Sequence, residues 1–191
     1  PLPLEAEADC AVYGSTPAGI AAAVACARHN LTTLLLSETD HLGGMMAGGL
    51  GKTDVIPQVN NTQLIGGIAA EFFERNTAHY FNSSSPPPAG LVIYDVEPHV
   101  AAGIFVQMLR ESGVRVVVNA SLASLQHAAG TATTLDTVTD TANRTFRAAQ
   151  WVDASYTGDL MAAAGVAHRV GREGAAAYNE SLAGFTGSNS P

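Results

Sequence analysis

The chain has 191 residues, of which 14% are charged and 47% hydrophobic, and a net charge of −8. That length and apolar content predict one domain, or part of one, with a sizeable core. Without a basic run or an apolar stretch of roughly 18 residues, neither a nucleic acid nor a membrane is expected as a partner.

Residues 9–13 read as a short buried strand, followed by the glycine-bounded turn GSTPAG at 14–19. An Ala-rich helix is predicted over 17–29, its small side chains allowing close packing on a sheet. The run TTLLLS at 32–37 is continuously apolar, as a parallel strand buried on both faces should be. These three pieces make a β-α-β unit.

The stretch HLGGMMAGGLGKT at 41–53 carries five glycines and no regular periodicity. Such density suits backbone lying close to a ligand or to another chain segment. A helix is predicted over 66–80 with Ile68, Phe72 and Phe73 on its apolar side. NSSSPPPA at 82–89 is a surface loop, because three successive prolines exclude both a helix and a central strand. A further helix is predicted over 97–112, with Pro98 in its first turn and Val100, Ile104, Met108 and Leu109 at helical spacing. Gly113 ends it.

Residues 114–118 form a third short strand, 121–145 a small antiparallel meander, 148–154 a fourth sheet strand, and 158–164 another helix. The fold class expected is α/β, a parallel sheet flanked by helices with a small antiparallel meander.

A strand that enters a glycine turn and then a helix N-terminus makes an anion site, because backbone approaches a pyrophosphate closely and free N–H groups stabilise its charge. Gly14 and Gly19 hold the first and last positions of the pattern G-x-G-x-x-G, while Thr16 replaces the middle glycine. Taken alone, such a turn can also be a tight connection without a ligand. The six histidines are scattered, and no Cys/His spacing resembles a zinc site, so no metal is assigned.

Six of the nine asparagines stand in glycosylation acceptor sequences, at Asn30, Asn60, Asn82, Asn119, Asn143 and Asn179. Chance placement among the Ser and Thr residues would give about one. The excess predicts passage through the secretory pathway, and the start at Pro1 is what a mature chain shows after signal-peptide removal. A secreted eukaryotic protein is expected. In that compartment Cys10, opening the first strand, and Cys26, in the last turn of the following helix, belong at one sheet edge and form either a disulfide or two buried thiols.

Five ordered segments, YGSTPAGIAAAVACAR, LLLSETDHLGGMMAGGLGKTDV, IGGIAAEFFER, EPHVA and WVDASYTGDLMAAAGV, carry a resemblance that covers about residues 8–178. Together they resemble the N-terminal part of a family of FAD-dependent oxidoreductases with a glutathione-reductase-like Rossmann domain. The resemblance implies FAD as cofactor, with Gly14, Ser15, Pro17, Ala18 and Gly19 holding its pyrophosphate. It puts Ser37, with Glu38 next, where such proteins offer a carboxylate to the adenosine ribose; either Ser37 makes a hydroxyl contact or Glu38 reaches round. Gly43 and Gly44 match a double glycine along the pyrophosphate and ribityl chain, and Met45 starts the run towards the flavin. Val117 and Val118 resemble the strand that meets the adenine. Gly158 and Asp159 resemble a segment near the cofactor, with a first-turn or N-cap carboxylate as the local alternative for Asp159. His41 is the one histidine beside this path.

No residue is assigned as a catalytic acid or base. Residues 1–191 are expected to form the FAD-binding domain of a larger protein, cleaved after folding in a loop such as 185–191 and retaining its substrate domain on a second polypeptide. The function expected is a secreted FAD-dependent oxidoreductase, an oxidase that passes electrons from an amine, amino acid, alcohol or sugar to oxygen with release of hydrogen peroxide. A nicotinamide-dependent dehydrogenase and a non-catalytic secreted binding protein on the same nucleotide fold are the alternatives.

Overall fold

The computed structural model describes residues 4–55, 64–81, 84–130 and 134–183. Six strands form one sheet: β1 (Leu4–Tyr13), β2 (Thr33–Leu36), β3 (Arg115–Val117), β4 (Leu122–His127), β5 (Leu135–Asp140) and β6 (Thr145–Asp153). Their order is β3-β2-β1-β6-β5-β4. The first four strands in that order run parallel, and β4 and β5 form the antiparallel arm. Among the described residues five α-helices accompany them, α1 (Pro17–Arg28), α2 (Gly44–Ala47), α3 (Gly67–His79), α4 (Pro98–Glu111) and α5 (Asp159–Ala163), with a short 3-10 turn at Ala175–Ala177.

Local chemistry sets the helix ends. Pro17 occupies the first turn of α1, where its missing N–H costs nothing, and the Thr16 side chain caps the Gly19 N–H. At the other end Asn30 turns left-handed at φ 61°. Its N–H then reaches the Ala27 carbonyl at 2.9 Å, while the Leu31 N–H reaches Cys26 at 3.2 Å. The end of α4 repeats this arrangement, with Gly113 and Val114 bonding back to Arg110 and Leu109, both at 3.1 Å.

Two cores lie on the two faces of the sheet. Alternate residues of β1 point to opposite sides, so Cys10 and Val12 join Leu35 under α1, α3 and α4, where Phe72, Phe105 and Met108 pack. Phe72 and Phe105 stack with ring centroids 4.5 Å apart. On the other face Ala11, Tyr13, Leu34 and Leu36 meet Val138, Phe146, Ala148 and Leu160 from β5, β6 and α5. All four residues of β2 are buried, as a strand covered on both faces requires.

Three elements differ from the sequence expectation. The first strand begins at Leu4 rather than residue 9, because its acidic half, Glu5, Glu7 and Asp9, alternates with buried Ala6 and Ala8. The glycine-rich stretch contains one helical turn, α2, rather than purely irregular backbone. The fourth sheet strand starts at Thr145 rather than residue 148, since β6 is also the last strand of the meander. Its first residues pair antiparallel with β5, while the strand pairs parallel with β1 through to Asp153.

Cys10 and Cys26 form a disulfide with their Cα atoms 6.5 Å apart, so of the two readings of this pair the structure has the bonded one. Because β1 begins at Leu4, Cys10 does not open the strand but lies in its second half, and the disulfide ties that half to the last turn of α1. The segment 82–89 is neither helix nor strand over its described part, and Asn60, Asn82 and the tail 185–191 lie outside the described residues.

Candidate cofactor site at the strand ends

β1 and β2 end side by side at the C-terminal edge of the sheet, with β6 on the other side of β1. There a cavity of about 130 Å³ is lined by Gly14, Ser15, Thr16, Ser37, Glu38, Thr39, His41, Gly44, Ser155 and Tyr156. A larger cavity of about 430 Å³ lies between β5, β6 and α5, around Trp151 and Met161. The smaller one is the candidate site, because it takes in Gly14, Ser15 and Thr16 of the glycine turn and the loop after β2, at the strand ends where open α/β sheets take their ligands, whereas Pro17 and Ala18 line a separate apolar cavity with Phe72 and Phe105.

The turn is built by close backbone approach. Gly14 has φ +102°, and a Cβ there would stand 2.7 Å from the Ala154 carbonyl carbon and the Ser155 nitrogen. A Cβ on Gly19 would collide with the Gly14 carbonyl oxygen. Both glycines therefore let β1, α1 and the end of β6 close together. Thr16, in place of the middle glycine, bridges two elements: its hydroxyl donates to the Ala154 carbonyl at 2.8 Å and accepts the Gly19 N–H at 3.1 Å. The Ile20 N–H is taken by the Thr16 carbonyl. Pro17 has no N–H, so Ala18 is the first-turn residue whose N–H has no intrahelical acceptor. That donor, with the helix dipole behind it, fits a pyrophosphate oxygen.

The double glycine is placed against the turn. Gly43 donates its N–H to the Ser15 carbonyl at 2.9 Å and packs beside Phe105 and Ala47, while Gly44 lines the cavity. A Cβ on Gly44 would collide with the Tyr156 hydroxyl, whose oxygen accepts the Met45 N–H at 2.8 Å. Met45 itself is exposed. His41 borders the cavity with its Nε2 2.9 Å from the Ala47 carbonyl.

At the end of β2, Ser37 is fully buried, whereas Glu38 is exposed on the cavity wall. The Ser37 hydroxyl donates to the Thr39 carbonyl at 2.7 Å and stands 2.7 Å from the Ser15 hydroxyl. A hydroxyl has a single proton, so Ser15 is the donor of the second bond. The phenol of Tyr13 donates to Glu38 Oε1 at 3.0 Å and accepts the Leu122 N–H at 3.0 Å. Burial pushes this phenol up to about 12, with the carboxylates of Glu38 and Asp159 adding to the effect.

The remaining assigned residues stand further out. Val117 accepts the Ser37 N–H at 2.8 Å, and the Val118 carbonyl is held by Arg144 at 3.0 Å. Gly158 and Asp159 begin α5 and do not line the cavity; Ser155 and Tyr156 of the same segment do. Asp153 anchors that segment by accepting from Ser155 and from the Met161 N–H at 2.7 Å. Asp159 is in the first turn of α5, where it accepts the Thr157 hydroxyl. Sequence reading passes over Tyr13, Thr39, Ser155 and Tyr156. A tyrosine closing the otherwise apolar run AVY was the available signal for the first of them.

Asn30, Asn119, Asn143 and Asn179 are exposed, with φ of 61°, 52°, 62° and 58°. Among the described residues, no group of three or more His, Cys, Asp or Glu side chains is arranged to hold a metal ion.

A family model described as FAD dependent oxidoreductase matches residues 9–189. No curated protein sequence matches the chain. Among solved structures, the chain is similar to L-proline dehydrogenase from P. horikoshii, with a TM-score of 0.62 and 11% identity over 89% of this chain and 59% of that one. A flavoprotein/dehydrogenase from Cytophaga hutchinsonii gives 0.58 and 17% identity over 87% and 44%. A geranylgeranyl bacteriochlorophyll reductase-like protein from Thermoplasma acidophilum gives 0.55 and 16% over 84% and 42%. At these identities the similarity is one of fold, and the chain spans between 42% and 59% of the three structures.

Proposed function

This chain belongs to the FAD dependent oxidoreductase family and has FAD as its cofactor, and from that premise we propose that it supplies the FAD-binding half of a secreted oxidase. The reaction proposed removes two electrons and two protons from a small amine, amino acid, alcohol or sugar and delivers them to dioxygen, giving the oxidised donor and hydrogen peroxide.

The observation that carries this reading is the disulfide inside the dinucleotide-binding unit itself, Cys10 to Cys26, joining β1 to α1. Disulfides of this kind belong to oxidising compartments. No supply of reduced nicotinamide is at hand there, and dioxygen is the available electron acceptor. The six acceptor sequences for glycans support the same location. A left-handed asparagine is itself a reason for Asn at the four described turns, but the Ser or Thr two residues later has no part in that reason.

The chain's own residues bind and orient. Gly14, Ser15 and Thr16 line the cavity that would take the pyrophosphate, and the Ala18 N–H at the first turn of α1 would be the free backbone donor nearest to it in sequence. Glu38 and the Ser15–Ser37 pair line the cavity together with Gly44 and Tyr156. Bound FAD supplies the two-electron chemistry at its flavin ring, while the protein supplies orientation and electrostatics. The substrate-facing surface is proposed to come from a second polypeptide carrying the rest of the enzyme.

The test is the visible spectrum of the native protein, recorded anaerobically with amines, amino acids, alcohols and sugars in turn. The expected result is flavin absorbance that bleaches with one donor class and returns, with stoichiometric peroxide, when air is admitted. Reduced flavin that air leaves unoxidised would overturn the oxidase reading while leaving the family intact.

A further inference from the structure

In the strand order β6 lies between β1 and β5, yet over its second half it has one neighbour among the described residues. β5 pairs with Thr145, Phe146 and Arg147 and then parts from β6, while β1 stays paired through to Asp153. The Ala154 N–H bonds to the Tyr13 carbonyl at 2.8 Å, so it points towards β1. Backbone groups alternate sides along a strand. The N–H and C=O of Trp151 and Asp153 therefore point the other way, where no described residue pairs with them.

The cavity of about 430 Å³ opens where the two strands part. Leu135 lines it from β5, Trp151 and Asp153 from β6, and Leu160 and Met161 from α5. Trp151 adds an unmet donor, since its indole N–H is buried with no acceptor among the described residues. An open strand edge is a template for another strand, and an extended peptide supplies the main-chain bonds that the edge lacks. A helix packed there would leave the edge unpaired, because its own N–H groups and carbonyls bond to one another.

We propose that the second polypeptide seats an extended segment of about five residues beside β6 at 149–153, so that the sheet continues from β6 into the other chain. The proposal rests on the two-chain reading above. This chain spans between 42% and 59% of the three similar structures, which leaves a comparable length of polypeptide to supply the strand. Val166 both lines the cavity and is 52% exposed, so the apolar surface continues out of the slot along the stretch after α5. The side chains of the added strand that meet Leu160 and Met161 are expected to be apolar. β6 runs directly into Ser155 and Tyr156 of the cofactor cavity, so the added strand braces the segment that carries them.

The test reads amide hydrogen exchange residue by residue in the native protein. A strand paired on one edge protects alternate amides, whereas one paired on both edges protects all of them. Trp151 and Asp153 are expected to exchange within about tenfold of Val152 and Ala154. In a second arm, Ala149→benzoylphenylalanine, in the chain co-expressed with its second polypeptide, is expected to crosslink on illumination to one peptide of that polypeptide. Exchange at Trp151 and Asp153 faster than at their neighbours by more than about tenfold, in an assembly that holds both polypeptides, overturns the strand site and leaves the two-chain reading standing. A crosslink to a second copy of this chain, or within the chain, overturns the occupant. A native protein made of this chain alone overturns the two-chain reading, and this proposal with it.

Discussion

Thr16 joins two elements through one hydroxyl, capping the Gly19 N–H and donating to Ala154 at the end of β6. Thr16→Ala removes both bonds and leaves the Gly19 N–H without its cap. Loss of such a cap costs about 1 kcal/mol, up to about 2, and the melting temperature should fall by about 2–8 °C in a chain of this size. Thr16→Ser keeps the hydroxyl and should stay near wild type, and thermal denaturation of the two variants separates the bond from the bulk. An equal loss in both would place the cost in the missing methyl group instead. The sequence shows Gly14, Gly19, Gly43 and Gly44 directly, because their spacing follows from a backbone turn. It shows Thr16 and Ser37 only as departures from a pattern. Their explanation lies in partners away from the pattern itself: Ala154 lies 138 residues from Thr16, and the Ser15 hydroxyl that meets Ser37 lies 22 residues from it.

The helices on one face of the sheet are joined at their surface by an ion-pair chain. Arg28 of α1 bonds Glu71 of α3, Arg75 bonds Glu71 along the same helix, and Arg75 bonds Glu111 of α4 at 2.6 Å. The Arg28 guanidinium, with Arg75 beside it, holds the Glu71 carboxyl down to about 2. A carboxyl depressed in the folded state adds stability above its unfolded value, near 4.5, and that stability disappears as the pH falls from there towards 2. Glu71→Gln should therefore flatten the acid limb of the stability curve between those values, as read from urea midpoints. Raised salt should weaken the wild-type effect, since these side chains are partly exposed. An acid limb unchanged by Glu71→Gln would locate the pH dependence elsewhere. The second link between elements is covalent: Cys10 and Cys26 close a loop with a sequence separation of 16. Replacing both by Ala should cost about 2–4 kcal/mol, and denaturant unfolding in the presence and absence of reductant checks it. The helices of this layer are legible from apolar spacing and end signals alone, as at Pro98 and Gly113. The start of β1 is not, because LEAEADC shows a polar surface wherever the chain turns Glu5, Glu7 and Asp9 outward. Nor is the double role of β6, which depends on β1 and β5 flanking it at once.

At the scale of the molecule, apolar side chains accumulate where the sheet and its helices do not reach. Val166, Val170, Tyr178 and Leu182 are 52%, 92%, 61% and 81% exposed along one stretch after α5. Nearby, the Trp151 indole N–H is buried without a hydrogen-bond partner among the described residues, beside the large cavity between β5, β6 and α5. We take this stretch of exposed apolar side chains as the place where the second polypeptide proposed above docks. The chain also spans only 42% to 59% of the three flavoprotein structures described above. The second polypeptide proposed above is expected to cover this side. Native protein should then elute in gel filtration as a species heavier than the 19.6 kDa of this chain, and a denaturing gel should separate it into this chain and another. Amide exchange over 166–182 should be slower in the assembly than in the separated chain, since burial against a partner closes the opening routes of exposed backbone. A single species of the chain's own mass, oxidising its donor at the full rate, would overturn the two-chain reading and place the substrate surface within these 191 residues.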